Sequence, residues 1–243
     1  MKQRKMTSVL SPGLAEIFHE RGHAMDRAAI ARAESDSDSA PLSDPTHALL
    51  ESWVRRRLGS SEHERRVAHI AGAIFDLTQD LHDLSHRARW TLIAAALVHD
   101  VGRAVDPEDH ARIGANIVLT DSALGVSPTT RRWLAYLTLY HRGQVPIAGK
   151  DGVLRASDDA AGMLKLLGLL RASDTLDSRS IESPRVLLMR RENRVQICCF
   201  LREHDERAER AFCRPKKYRL MEETLDCQVQ VEVQLGDARM LSA

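Results

Sequence analysis

The chain has 243 residues, of which 43% are hydrophobic and 28% charged, with a formal net charge of +1. That length suits one sizeable domain plus a small appendage, the composition is that of a soluble globular protein, and the near-neutral charge gives no general pull toward nucleic acid or a membrane. No apolar stretch approaches the ~18 residues of a membrane span, and the charged N-terminus lacks the apolar core of a secretory signal, so the cytoplasm is the expected location.

Residues 1–45 are expected to be a flexible N-terminal segment and linker. They hold a basic start, a short helix from Ser11 to Arg32, and the acidic, Ser-rich tract Glu34 to Pro45, which cannot bury enough apolar surface to order itself. From residue 46 to 182 helical patterns dominate, at about 46–58, 62–80, 86–100, 108–120, 128–141 and 157–177, with turns at Gly59-Ser60, Gly102, Gly125 and Gly143 to Gly152. Ser61-Glu62 and Ser127-Pro128 read as helix starts. Past Ile181 the period shortens. Strands are expected at 185–190, 194–201 and 228–234, with a helix from Glu206 to Thr224, so residues 183–243 form a small β-β-α-β subdomain. The fold class is therefore mainly α, a helical bundle followed by a small α+β C-terminal subdomain. Packing or homodimerisation is the expected role of that tail. Cys198, Cys199, Cys213 and Cys227 lack CxxC spacing and read as buried free thiols, with Cys198 and Cys199 on opposite faces of a strand.

The chemistry concentrates where the apolar run Thr91 to Val98 ends in His99-Asp100. Two side chains at a helix end can turn toward one metal ion. His63 shares a helical stripe with Val67, Ile70 and Ile74, whereas His69 falls off it; Asp174 shares one with Met163, Leu167 and Leu170. A single His on an apolar face is usually a hydrogen-bonded core residue, but two imidazoles and two carboxylates in consistent phase point to a ligand set: His63, His99, Asp100 and Asp174. A buried carboxylate needs a cation. The mixed N/O set suits a divalent ion such as Mn, Fe, Zn, Co or Mg.

At these residues the chain resembles the HD-domain superfamily of metal-dependent phosphohydrolases, all-helical proteins named for the His-Asp doublet. Asp109-His110-Ala-Arg-Ile-Gly114-Ala115 is similar to the superfamily's next element, Tyr140-His141-Arg142-Gly143 to the fourth, and Leu169-Leu170-Arg171-Ala-Ser-Asp174-Thr-Leu-Asp177 to the closing helix. The last two, together with Glu62 to Asp76, resemble the C-terminal HD domain of the exopolyphosphatase and guanosine pentaphosphate phosphatase family (Ppx/GppA) over roughly residues 45 to 235. Members of that family carry two actin-like domains ahead of this region, which hold the phosphate loops and the catalysis; this sequence has no Gly-rich phosphate loop. What the resemblance carries over is the HD module, not the exopolyphosphatase activity.

The resemblance implies a divalent metal ion, one or two in number, held first by the quartet. It makes Asp100, His110 and His141 the candidate catalytic residues. His110 and His141 match positions that bind a second metal in some members, and they read equally as phosphate or proton contacts or as structure. Arg142 is the first choice for substrate phosphate, because a guanidinium pairs bidentately with its oxygens; Arg103, Lys150 and Arg171 follow. Asp177 reads as an acceptor for a ligand histidine, or as a cap or partner of Arg171 or Arg179. The expected function is phosphohydrolysis of a nucleotide, alarmone or short polyphosphate. The alternative is a non-catalytic module that binds polyphosphate or nucleotides or regulates a partner. Basic clusters such as Arg55 to Arg57 and Arg214 to Arg219 are offset by acids, and aromatics are scarce, which argues against nucleic acid as a partner.

Overall fold

The computed structural model describes residues 29–33, 45–147 and 150–236. In chain order its elements are β1 (Ala29–Ala33), α1 (Pro45–Leu58), α2 (Glu62–Leu77), α3 (Gln79–His82), α4 (His86–Val98), α5 (His110–Thr120), α6 (Pro128–Tyr140), α7 (Ala160–Thr175), β2 (Arg185–Arg191), β3 (Arg194–Leu201), α8 (Glu206–Phe212), α9 (Arg219–Leu225) and β4 (Gln228–Leu235). The chain is mostly helical, and the strands β2, β3 and β4 of a small sheet follow the bundle, as the sequence predicts.

Helix α4 has no polar face from Thr91 to Val98, and a helix apolar all round belongs in the middle. Every one of those eight residues is buried, and α4 packs against α1, α2, α6 and α7. Ser85 caps its start by accepting from Ala88 N, Ser127 does the same for α6 through Thr130 N, and Asp159 for α7 through Gly162 N. Ser61 precedes α2 as expected but does not cap it; its hydroxyl donates to Glu51 at 3.0 Å.

Three expectations are corrected. The helix from residue 62 stops at Leu77 rather than 80, because the Thr78 hydroxyl turns back onto the Ile74 carbonyl and the chain restarts as the short α3. The single helix expected from Glu206 to Thr224 is two, α8 and α9, separated by a turn at Pro215–Lys217 whose proline cannot donate to a continuing helix. Residues 29–32 of the helix expected from Ser11 to Arg32 belong instead to strand β1, where pairing with the open edge of β2 overrides local propensity. The rest of that segment and the tract after Ala33 lie outside the described residues.

Among the described residues the strands form one sheet in the order β1-β2-β3-β4. β1, β2 and β3 are antiparallel neighbours, and β4 returns parallel to β3 through α8 and α9. Its Val186, Leu188, Val195, Ile197 and Cys199 join the main core, whereas Leu187, Met189, Cys198 and Phe200 form a separate cluster. The two adjacent cysteines thus lie on opposite faces as expected, and all four are free thiols, three of them buried and Cys213, against expectation, only half-buried. Helix α9 presses on α7 so closely that a Cβ on Gly168 would stand 2.9 Å from Met221 N. The α+β tail therefore braces the helix that carries Asp174.

Gly102 sits in the tight turn Val101–Ala104 just after the doublet. A Cβ there would meet the His110 carbonyl oxygen at 2.1 Å and Gly114 N at 2.5 Å, both backbone atoms of α5. Gly102→Ala must push α5, and His110 with it, away from Asp100. We expect a loss of roughly 2 to 4 kcal/mol in urea unfolding, the scale of an overpacked site whose neighbours cannot yield.

Asp158 ties the loop after α6 back to the bundle: it accepts from Trp133 Nε1 at 3.0 Å and from Arg155 N at 2.8 Å. Burial works against its charge, but these donors and Arg132 hold its carboxyl below the ordinary value. A depressed acid adds stability above the unfolded value near pH ~4 and loses it as pH falls through the folded value. Thermal melts of Asp158→Asn should accordingly run below wild type at pH 7 and converge with it in acid.

Candidate metal centre

Helix ends converge at one end of the bundle. The C-terminal ends of α4, α6 and α7 bring His99-Asp100, His141 and Asp174; the first turns of α2 and α5 bring His63 and His110. Three C-termini together present partial negative charge, a setting that favours cations.

Each imidazole is fixed through Nδ1. His99, His110 and His141 reach the backbone carbonyl three residues back, Ala96, Pro107 and Thr138, at 2.8, 2.7 and 2.6 Å. His63 Nδ1 meets Asp177 Oδ2 at 2.6 Å. Carbonyl and carboxylate oxygens only accept, so all four Nδ1 atoms carry the proton and all four Nε2 atoms of the neutral rings are bare lone pairs. These four lone pairs gather around two carboxylates. Asp174 Oδ1 is 3.4 Å from His63 Nε2 and 3.3 Å from His99 Nε2. Asp100 Oδ1 is 3.1 Å from His110, 3.6 Å from His141 and 3.8 Å from His99, while its Oδ2 is 3.8 Å from His63.

Such crowding of acceptors is unfavourable without a cation. His110 Nε2 and His141 Nε2 face each other at 3.2 Å, and His99 Nε2, fully buried, has no hydrogen-bond partner. Electrostatics agree. Burial opposes a charged His99 ring, yet Asp100, Asp174 and Glu64 outweigh it and raise the ring to about 9. Burial likewise opposes charge on His63, but bonds to Asp174 and Asp177 raise it. For His141 burial prevails, and its pKa falls. Burial also works against the carboxylates, but the surrounding imidazoles hold Asp100 and Asp174 well below the usual range. Six side chains group into ligand trios: His63, His99 and Asp100; His99, His141 and Asp174; Asp100, His110 and His141. The residues present fit a metal, which would do the work of the proton that the cluster otherwise keeps on His99 and would release it on binding.

All four residues expected as ligands therefore meet, and His110 and His141 meet them. The expected phosphate ligands are dispersed. Arg103 Nε lies 3.5 Å from Asp100 Oδ2. Arg142 is exposed and, with Pro107, Glu108, His110, Ala111 and Gly143, lines an open cleft of about 540 Å³ beside His110. Arg171 turns inward and donates to the carbonyls of Tyr140 (Nε, 2.8 Å), Arg142 (3.4 Å) and Gln144 (3.2 Å), where it clamps the segment that carries His141. Lys150 is exposed, and its N–H donates to the Ile147 carbonyl at 3.0 Å. Asp177 takes the first of its alternative roles. It holds His63 and is gripped by Arg66 through Nε at 2.8 Å and Nη2 at 3.1 Å, and pairs with neither Arg171 nor Arg179.

Two charged residues at the cluster escaped the sequence reading. Glu64 is fully buried beside His63, and Arg179 bridges Glu64 and Asp100. Glu64 had a visible signal: with Ala68, Ala71 and Phe75 it forms a second buried stripe on α2. Arg179 lies past the end of α7, where no period applies. Half-buried Lys217, on the turn that docks the tail against α7, feels the Asp174 charge, and burial lowers its pKa.

Among the described residues no helix is long and apolar enough to cross a membrane. No curated protein matches the chain. The family model described as Ppx/GppA phosphatase, domain III, matches residues 60–207, from the start of α2 through the doublet, both further histidines, Asp174 and the first two strands of the tail. The chain belongs to the Ppx/GppA phosphatase domain III family.

Proposed function

We propose that the chain is a metal-dependent phosphohydrolase that cleaves a phosphoester or phosphoanhydride of a nucleotide, alarmone or short polyphosphate. One observation carries this reading: four histidines with Nδ1 satisfied aim Nε2 at two carboxylates, buried Asp100 and the largely covered Asp174, with Asp100 in two of the three trios. A module retained only for packing has no use for so many unpaired acceptors.

His63, His99, Asp100 and Asp174 would hold one divalent ion, and His110 and His141 with Asp100 a second. Bound there, such ions polarise a phosphoryl oxygen and lower the pKa of a water. The chain supplies the rest. Asp174, a fifth exposed, and the partly exposed Arg103 and Arg179 mark the solvent side of the cluster, while His99 and His141 close its floor. Arg142, on the cleft beside His110, would take a more distant phosphate of the substrate. Where only the first ion is bound, His110, with Nδ1 anchored on Pro107, would present Nε2 to a leaving oxygen or to a proton in transit.

The test is a panel of nucleotides, guanosine penta- and tetraphosphate and short polyphosphates, assayed with the full chain loaded in turn with Mn, Fe, Zn, Co or Mg. Phosphate release with at least one metal, abolished by a chelator, is the expected result. Metal uptake with no turnover on any substrate would replace this reading by that of a binding or regulatory module.

A further inference from the structure

Arg179 and Glu64 belong to no ligand trio, yet they are built into the site. Glu64 is fully buried; its Oε1 accepts from Arg179 Nη2, and its Oε2 has no hydrogen-bond partner. Arg179 reaches past it to place Nε 3.2 Å from Asp100 Oδ2, and its side chain stays 36% exposed. The guanidinium thus runs from a buried anchor, across the edge of the cluster, to solvent. Its Nη1 has no partner among the described residues.

A buried carboxylate left without a counter-charge costs several kcal/mol, and α2 accommodates alanine one and two turns further along the same stripe, at positions 68 and 71. Glu64 is therefore an expensive residue at a position where a small apolar one packs. The expense makes sense if the pair serves the guanidinium rather than the core. A cation held by Asp100 would compete with Arg179 for that carboxylate, and Glu64, which belongs to no trio, would still keep Arg179 at the mouth.

We propose that Arg179 binds the phosphoryl group that enters the site, with Glu64 as the residue that positions it. This rests on the phosphohydrolase reading and names the contact through which substrate phosphate is recognised there. A guanidinium offers phosphate a planar, bidentate fork, which a lysine ammonium does not. Arg142, which is exposed and lacks such an anchor, is then left for phosphates farther along the substrate.

The experiment uses the Mn-loaded full chain and inorganic phosphate as the probe, with calorimetric affinity, bound metal and steady-state kinetics read together. Arg179→Met should keep wild-type metal content and weaken phosphate binding by at least ~10-fold, the loss expected of a charge-assisted pair, with KM rising in parallel. Arg179→Lys, which keeps the positive charge beside Glu64 and so protects the fold, should lose most of the same affinity. The double variant Glu64→Gln/Arg179→Met buries no unpaired charge and should still bind phosphate weakly. If the double variant regains wild-type affinity, Arg179 is only the counter-ion of Glu64 and the proposal fails. It fails equally if Arg179→Lys binds phosphate like wild type, or if metal-loaded wild type binds none. A wild-type chain that takes up no Mn would overturn the metal reading instead, before any variant is compared.

Discussion

Asp100→Ala should leave the chain unable to hold metal and should lower phosphohydrolase turnover by at least about a thousandfold, the upper scale of removing one electrostatic stabiliser. The geometry makes this the most damaging single change at the centre. Asp100 Oδ1 faces His99, His110 and His141, and Oδ2 faces His63, Arg103 and Arg179. Its loss leaves imidazoles and guanidiniums facing one another with Asp174 as the one remaining carboxylate of the trios. Asp100→Asn keeps the shape but halves the negative charge shared by the trios. It should retain the fold, as circular dichroism would check, while losing most of the metal and the activity. If Asp100→Ala instead kept wild-type metal and turnover, the doublet would be a packing feature.

The second large effect is expected at Asp177. This buried carboxylate holds the His63 ring by Nδ1 and is gripped by two nitrogens of Arg66. Asp177→Ala frees the His63 ring to turn and strips Arg66 of its nearest counter-charge. Breaking a buried pair costs ~3–5 kcal/mol, and the expected loss here is roughly 2 to 4 kcal/mol, because Arg66 is a fifth exposed and keeps Glu62 at 3.5 Å. Metal affinity should fall 10- to 100-fold, the usual effect of removing the partner that orients a ligand histidine. Denaturant unfolding and competition with a chromophoric chelator measure the two separately. Unchanged metal affinity in a destabilised variant would confine Asp177 to packing.

Much of this architecture is legible in the sequence, for a reason particular to its helices. At 3.6 residues per turn the apolar stripes of α2 and α7 fix the phase of His63 and Asp174, and the uninterrupted apolar run of α4 marks the central helix. Because the ligands sit on helix ends, their convergence follows once the helices pack. What stays hidden depends on long-range contacts. The strand at Ala29–Ala33 exists because β2 offers it an edge, 153 positions on in the pairing of Ala33 with Val186 and farther for the other pairs. Arg171 looks like any exposed arginine until the carbonyls at the end of α6 are seen around it. Glu64 reads as one more charge on a highly charged turn although it shares the stripe of Ala68, Ala71 and Phe75, and its partner Arg179, beyond the helices, has no such phase to read. Pro215 was there to be read as a break between α8 and α9, and the helical pattern around it concealed that.

The central claim is that the cluster is a metal site and not a polar core kept intact by a proton on His99. Elemental analysis of the purified full chain, loaded with Mn and freed of excess, tests this most directly, with Asp100→Ala carried alongside. One to two ions per wild-type chain and none in the variant is the predicted result. A wild-type chain that holds no metal at saturating Mn would contradict the account.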